Sequence, residues 1–220
     1  MSDPPNNAES ANDTASDAKP HGVVYIVDDD EASREAVSRL VDEMGVPSQT
    51  FGSAEKFLAA YDGHRPACLV TDVRMLRMSG LELQEALASR GVHMATVILT
   101  AYADTPVTVR AIKNGAITLL EKPCRDLELW DAIREALAQD TAAWVDDQKR
   151  AEQAQRLASL SPSELEVLDL VMDGAPNKSI AAKLDCSIRT VEVRRQSIHS
   201  KMGTSSLAEL VRQVIEAREK

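Results

Sequence analysis

The sequence has few cysteines and no segment typical of export or membrane insertion. Its three cysteines, Cys68, Cys124 and Cys186, are odd in number and far apart, which indicates neither a disulfide framework nor a zinc site. No apolar run approaches the length of about 18 residues that a membrane span needs. Residues 1–19 are polar and lack the charged-then-apolar pattern of a signal peptide. These features predict a cytoplasmic protein with no membrane partner.

An excess of positive charge is also missing. The 220 residues carry a formal net charge of −10, which argues against a protein that coats nucleic acid non-specifically. An acidic average can still hide a basic face on one domain. Hydrophobic residues make up 44 % of the chain, enough for one large or two small domains with real cores.

Periodicity divides the chain into four segments. Residues 1–20 have no periodic apolar pattern and predict a disordered tail. Over residues 21–140, short apolar runs alternate with amphipathic helical patterns, which predicts an α/β domain with a doubly wound, flavodoxin-like, five-stranded parallel sheet. A long helical pattern without Gly or Pro follows, and its part at 141–158 is interpreted as a linker. Residues 159–220 predict a small all-α domain of four helices containing a helix-turn-helix.

Polar residues follow four of the five predicted strands. The carboxyl ends of parallel strands lie along one edge of a sheet, where such folds place their sites. Carboxylates gathered there would raise each other's pKa values, and a divalent cation such as Mg²⁺ would relieve their repulsion. A lysine and a threonine add a positive charge and a hydroxyl donor, so the set describes phosphoryl transfer to a carboxylate. Its members are Asp28, Asp29, Asp72, Thr100 and Lys122.

These stretches strongly resemble the receiver domain of two-component response regulators, over residues 22 to about 140. The matching segments are Val24-Tyr25-Ile26-Val27-Asp28-Asp29-Asp30, Val70-Thr71-Asp72-Val73-Arg74-Met75, Ile98-Leu99-Thr100-Ala101 and Glu121-Lys122-Pro123.

The resemblance implies a role for each residue of the edge. Asp72 would accept a phosphoryl group from a sensor histidine kinase. Mg²⁺ would be bound by Asp29, Asp72 and the backbone carbonyl of Arg74, with Asp28 acting mainly through water. Thr100 and Lys122 would hold the phosphoryl oxygens, Thr100 would move as a switch, and the peptide bond before Pro123 is expected to be cis.

The sequence departs from the family pattern at three places. The usual aromatic switch residue is replaced by Leu119, and Leu76-Arg77 and Cys124 stand where Pro-Gly and Phe are common. Because every residue needed for the phosphoryl transfer is present, these departures affect the transmission of the signal more than the phosphorylation.

The C-terminal segment closely resembles the LuxR-type helix-turn-helix domain over about 159–215. The resemblance rests on Leu160-Ser161-Pro162-Ser163-Glu164, Asn177-Lys178-Ser179-Ile180-Ala181 and Thr190-Val191-Glu192-Val193-Arg194. It implies that Glu192, Val193 and Gln196 face the major groove of double-stranded DNA. Expected contacts elsewhere, mostly to phosphates, are Lys178, Ser187, Arg189, Thr190, Arg194, Arg195 and Lys201.

The combined interpretation is a response regulator of the FixJ/NarL type, a transcription factor that forms a homodimer when phosphorylated. It would be no enzyme beyond phosphorylation and dephosphorylation of its own aspartate. One alternative is a regulator that binds DNA without phosphorylation, prompted by Leu119. Another is a haloacid-dehalogenase-like phosphatase, but those enzymes need a second acid at the position that Arg74 occupies.

Overall fold

The structure, a computed structural model, describes residues 22–102 and 104–218, so the predicted disordered tail at 1–20 lies outside it. The chain divides into two compact units, Met1–Trp144 and Val145–Lys220. Most of the segment interpreted as a linker falls in the second unit.

The described part of the first unit contains one five-stranded parallel sheet in the order β2-β1-β3-β4-β5. This confirms the α/β fold with a doubly wound sheet. Because β1 and β3 lie inside the sheet with both faces covered, every residue of β1 and the first five residues of β3 are buried. The strands are β1 (Val23–Val27), β2 (Ser48–Phe51), β3 (Ala67–Asp72), β4 (Ala95–Thr100) and β5 (Ala116–Glu121).

Helices alternate with these strands, and their first turns follow capping chemistry. Asp30, Ser53, Ser79 and Asp104 each accept a hydrogen bond from a backbone N–H of the helix that they precede. The helices are α1 (Glu31–Glu43), α2 (Ala54–Ala60), α3 (Gly80–Ser89), α4 (Thr105–Lys113) and the start of α5 (Asp126–Ala158).

Separate apolar clusters fill the two faces of the sheet. On one face, Val24, Ile26 and Val70 pack against Ile133 and Leu137 of α5. On the other, Tyr25 of β1 contacts the rings of Phe51, Phe57 and Tyr61. Two buried layers hold the strand ends in fixed positions, which a site built from several strands requires.

A buried ion pair fastens α5 to the sheet. Asp140 is 3 % exposed, and its carboxylate accepts hydrogen bonds from the Arg65 guanidinium and from the backbone N–H of Ala67 at 2.8 Å. The charge of Asp140 is thus compensated on both oxygens, as a buried carboxylate requires.

The second unit is all-helical, as expected. Its core joins Leu168, Ile180, Ile198, Met202 and Val214, at least one from each of four helices. These helices are α6 (Pro162–Met172), α7 (Asn177–Lys183), α8 (Ile188–Met202) and α9 (Leu207–Arg218). A short turn joins α7 to α8, which is the helix-turn-helix arrangement.

The end of α5 belongs to this core. Arg156 donates a hydrogen bond to the Met202 carbonyl at 2.9 Å, Gln153 donates one to Glu216 at 2.8 Å, and Leu157 packs against the apolar cluster. These contacts explain why the second unit begins at Val145. Among the described residues, no helix is both long and apolar enough to cross a membrane.

Candidate phosphoacceptor site and DNA-binding helix

The sequence-predicted residues of the phosphoacceptor site converge at one edge of the sheet. Asp28 follows β1, Asp72 and Thr100 are the last residues of β3 and β4, and Lys122 follows β5. The parallel register, which sets Asp72 beside Leu99, brings these ends level with one another.

Three acidic side chains at this edge form a cluster. Asp28, Asp29 and Asp72 each offer a carboxylate oxygen, and these oxygens lie within 4.8 Å of one another. Oxygen ligands of this charge suit Mg²⁺, which prefers one or two carboxylates and retained water. The residues present therefore fit a magnesium ion.

Lys122 connects two of the acids. Its Nζ lies 2.7 Å from Oδ2 of Asp28 and 3.6 Å from Oδ1 of Asp72. Asp28 is 3 % exposed and also accepts hydrogen bonds from the Ser33 hydroxyl and the Asp30 backbone N–H. Asp28 is thus held by three protein donors, whereas the other two carboxylates are more open to solvent.

The environment raises the pKa of Asp72. Burial is the largest cause, and the nearby charges of Asp28 and Asp29 add to it, while Lys122 and a hydrogen bond from the Val73 backbone N–H oppose it. A carboxylate that is crowded by like charge and partly desolvated gains from a cation at the same edge.

Thr100 ends β4 at this edge of the sheet, and Leu119 lies on β5. Thr100 is fully buried, and its hydroxyl donates to the Tyr102 carbonyl at 3.0 Å. Leu119 is half-buried and packs against an apolar cluster formed by Val73, Ile98 and their neighbours. The peptide bond between Lys122 and Pro123 is cis, as expected.

Two contributors to this site were missed by the sequence reasoning. Ser33 holds Asp28 from the first turn of α1, at 2.8 Å. Gly80 lies so close to the Asp72 carbonyl that a Cβ there would collide with it. Neither has a sequence signal of its own, because a Ser in a first turn and a Gly at a helix start are both common for local reasons.

The second unit presents an exposed face along α8. Arg189, Glu192 and Gln196 are exposed, and Val193 is 52 % exposed although it is apolar. Arg189 pairs with Glu192 at 3.4 Å across one helical turn. An exposed helix of this kind, second in a helix-turn-helix, has the form that enters a major groove.

The other predicted DNA contacts surround this face. Lys178 is exposed in the first turn of α7, and Ser187 caps α8 by accepting from the Thr190 backbone N–H. Arg194 and Arg195 are half-buried, and Arg195 donates to Asn177 at 3.0 Å. The structure therefore brings the predicted residues to one region but gives several of them partners within the protein.

Lys201 has the strongest of these internal partners. Its Nζ lies 2.7 Å from Oε2 of Glu164, a side chain that is 8 % exposed. Glu164 also accepts from the Ser197 hydroxyl at 2.6 Å and the Ser161 backbone N–H at 2.7 Å. Lys201 leads these donors in lowering the pKa of Glu164 to about 2. The network ties α6 to α8, so Lys201 has a structural role beside any contact with DNA.

Taken together, these features define a protein with a receiver-type phosphoacceptor domain and a helix-turn-helix DNA-binding domain. Residues 24–134 match the family described as response regulator receiver domain, and residues 158–214 match the bacterial regulatory proteins of the luxR family. The chain belongs to the response regulators that combine these two domains.

Known proteins of this domain arrangement are similar along most of their length. The chain is 41 % identical to the transcriptional regulatory protein FixJ of Azorhizobium caulinodans over 192 residues, 87 % of this chain and 91 % of the relative. It is 40 % identical to the response regulator TodT of Pseudomonas putida, with 86 % and 84 % covered.

Two solved structures are also similar to this chain over most of their length. The response regulator StyR, 39 % identical, superposes with a TM-score of 0.81 over 90 % of this chain and all of that one. Full-length FixJ from B. japonicum, 38 % identical, gives a TM-score of 0.54 with 89 % and 97 % covered.

Proposed function

We propose that Asp72 accepts a phosphoryl group from a phosphohistidine on a sensor kinase, and that this phosphorylation controls DNA binding by the second unit. The observation that carries the proposal is the convergence of three carboxylates and Lys122 at one sheet edge. An Asp with a lysine ammonium at 3.6 Å and two acids beside it has no evident structural task at an exposed edge.

Each residue has a step in this chemistry. An oxygen of Asp72 attacks phosphorus, the bond from phosphorus to the kinase imidazole breaks, and the imidazole leaves with the electron pair. Lys122 offers a positive charge to the phosphoryl oxygens, and Thr100 a hydroxyl. The role of Asp28 is to hold Lys122 in place, since it contacts Nζ at 2.7 Å.

Magnesium is the cofactor that this donor set fits. Asp29, Asp72 and the Arg74 backbone carbonyl would hold the ion directly, and Asp28 would contact it through water. When bound, the ion neutralises charge on the transferring phosphoryl oxygens. One oxygen of Asp29 accepts from the Leu76 backbone N–H at 2.9 Å, which fixes the orientation of this carboxylate.

The output is sequence-specific binding to double-stranded DNA in the cytoplasm. Glu192, Val193 and Gln196 would contact base edges, and the basic residues around them would contact phosphates. A single domain of this size binds weakly, so we propose that the phosphorylated chain forms a homodimer. Its two reading helices would occupy half-sites about 10 bp apart.

The test is phosphorylation of the full chain by acetyl phosphate, with Asp72→Asn as the matched variant. Intact mass should rise by one phosphoryl group only when Mg²⁺ is present, and the variant should stay unlabelled. Size-exclusion with light scattering and DNA binding should then show a dimer of higher affinity. Labelling that persists in Asp72→Asn would refute the assignment of the acceptor. Labelling without any change in DNA affinity would favour a regulator that binds DNA independently of phosphorylation.

A further inference from the structure

We propose that Arg74 and Tyr102 form the contact that senses phosphorylation in this protein. This contact would take the part of the usual aromatic switch residue, whose position Leu119 occupies. This inference rests on the proposed phosphorylation of Asp72. It assigns a function to two side chains whose identities neither the site chemistry nor the DNA-binding helix requires.

The geometry places a cation against a ring. The guanidinium carbon of Arg74 lies 5.2 Å from the centroid of the Tyr102 ring. This distance is within the range of about 6 Å over which a cation is attracted to an aromatic face. Arg74 follows Asp72 by two residues and Tyr102 follows Thr100 by two, so the pair joins the loop after β3 to the loop after β4.

Tyr102 is held from a second direction by the switch hydroxyl. Thr100 Oγ donates to the Tyr102 carbonyl at 3.0 Å and accepts from the Tyr102 backbone N–H at 3.2 Å. A threonine hydroxyl has only one hydrogen to donate. If that hydrogen turns to a phosphoryl oxygen on Asp72, the Tyr102 carbonyl loses its donor. Phosphorylation of Asp72 would therefore release the main chain of the loop after β4.

The same event competes for the side chain of Arg74. Phosphorylation replaces the single negative charge of Asp72 with about −2 and adds three acceptor oxygens. A guanidinium binds phosphoryl oxygens through charge-assisted hydrogen bonds, often in pairs. An exposed cation–π contact shifts an equilibrium only about two- to fivefold. Tyr102 is 66 % exposed, so its cation–π contact with Arg74 is weak. The Arg74 guanidinium should therefore prefer the phosphoryl group to the ring.

Leu119 cannot provide an equivalent contact. It lies half-buried in the apolar cluster with Val73 and Ile98, and its aliphatic side chain has no face for a guanidinium. Tyr102 instead stands three residues before α4, which begins at Thr105 and exposes Val109 and Ile112. Release of Tyr102 thus acts on the segment that leads into a helix with an exposed apolar face.

The pair can be observed directly by NMR on the full chain. The Arg74 Nε–H signal, assigned by its loss in Arg74→Lys, should be displaced by the ring current of Tyr102. Tyr102→Phe keeps the ring and should keep the displacement, whereas Tyr102→Leu should abolish it. Adding Mg²⁺ and beryllofluoride as the phosphoryl mimic should remove the ring-current displacement, so that the wild-type and Tyr102→Leu signals coincide when both carry the mimic. A signal that Tyr102→Leu or the mimic leaves in place overturns the proposal.

DNA affinity gives the functional readout. Because the pair stabilises the unphosphorylated conformation, Tyr102→Leu should raise DNA affinity without phosphorylation about two- to fivefold. Activation should fall by the same factor, and Tyr102→Phe should match wild type. Without phosphorylation, the effects of Arg74→Met and Tyr102→Leu on DNA affinity should not add in the double variant, since either change removes the whole contact. Additive effects, or equal activation in Tyr102→Leu and wild type, contradict the inference.

These experiments distinguish a failure of the proposed phosphorylation of Asp72 from a failure of the sensing pair. If acetyl phosphate does not label Asp72, the proposed function fails and the sensing pair fails with it. If Asp72 is labelled and DNA affinity rises while the Arg74 signal does not move, only the sensing pair is refuted.

Discussion

Glu164→Gln should destabilise the DNA-binding unit, although residue 164 is not among the expected DNA contacts. The carboxylate accepts from Lys201, Ser197 and Ser161 over distances of 2.6–2.7 Å, and its side chain is 8 % exposed. Glutamine has nearly the same shape but no charge, so it removes the counter-charge of the Lys201 ammonium at a position where the residue 164 side chain is largely buried.

The size of the loss follows from the pKa. Donors from Lys201, Ser197 and Ser161 lower the pKa of Glu164 from 4.5 to about 2. A pKa shift of this size corresponds to a contribution of at most ~3 kcal/mol to the free energy of unfolding at pH 7. Because the Lys201 side chain is 38 % exposed, solvent screens part of this interaction, and we expect a loss of about 2 kcal/mol in the free energy of unfolding.

The sign of the pH dependence is fixed by the direction of the shift. A carboxyl group with a lowered pKa in the folded state stabilises above the pKa of the unfolded chain, near 4.5, and loses this effect as the pH falls towards 2. The stability difference between wild type and Glu164→Gln should therefore shrink by roughly half or more between pH 6 and pH 3.

Urea unfolding of the full chain, followed by NMR, can measure the stability of the DNA-binding unit separately from that of the receiver. The Ile198 methyl signal reports the DNA-binding unit, and the Ile133 methyl signal reports the receiver as an internal control, since the two need not unfold together. Ser197→Ala is the matched variant, because it removes one hydrogen bond and keeps the charge, at a cost of about 1 kcal/mol. A variant Glu164→Gln as stable as wild type, or a stability difference that does not change with pH, would refute the reasoning.

Further changes separate structural from functional contacts. Asp140→Asn removes the buried negative charge that pairs with the Arg65 guanidinium, so tryptophan fluorescence in urea should show a receiver destabilised by ~2–4 kcal/mol. Asp29→Asn should weaken Mg²⁺ binding by calorimetry at least about tenfold, and unchanged affinity would exclude this carboxylate as a ligand. Glu192→Ala should relax selection at one base position by ~1–3 kcal/mol in a binding-site selection, while an unaltered preference would contradict base contact. Lys201→Gln should lower stability as well as DNA affinity, and a change in affinity alone would contradict its ion pair with Glu164.

The edge that carries the candidate phosphoacceptor site could be predicted from sequence, because the topology of a parallel sheet determines which strand ends meet. Once alternating strands and helices indicate a parallel sheet, the polar residues at the strand ends must meet along one edge. They are Asp28, Asp72, Thr100 and Lys122. The prediction therefore needs no side-chain packing, only the order of the elements, which the structure confirms.

Contacts between distant helices could not be predicted in this way. The Ser161–Glu164 capping box has a local signal, and both of its hydrogen bonds are present. Nothing in the spacing indicates that the same carboxylate also reaches Ser197 and Lys201 on α8. Lys201 was consequently predicted only as a phosphate contact, because a lysine on a basic helix has the same sequence pattern in either role. The pair of Arg74 and Tyr102 was missed for the same reason, since it joins two loops.

On the proposal that Asp72 is phosphorylated, the charges at the sheet edge favour a bound cation before the transfer and an arginine contact after it. Asp28, Asp29 and Asp72 bring three negative charges to the site against one positive charge from Lys122, a sum of −2. A divalent cation reduces this sum to zero, so a phosphoryl donor, itself an anion, meets no net repulsion. Converting Asp72 from a carboxylate to an aspartyl phosphate then adds about one further negative charge. Arg74 is two residues away, its side chain is exposed, and it restores neutrality if it leaves Tyr102. The chemistry of the site and the release of the sensing pair are thus two consequences of the same electrostatic balance.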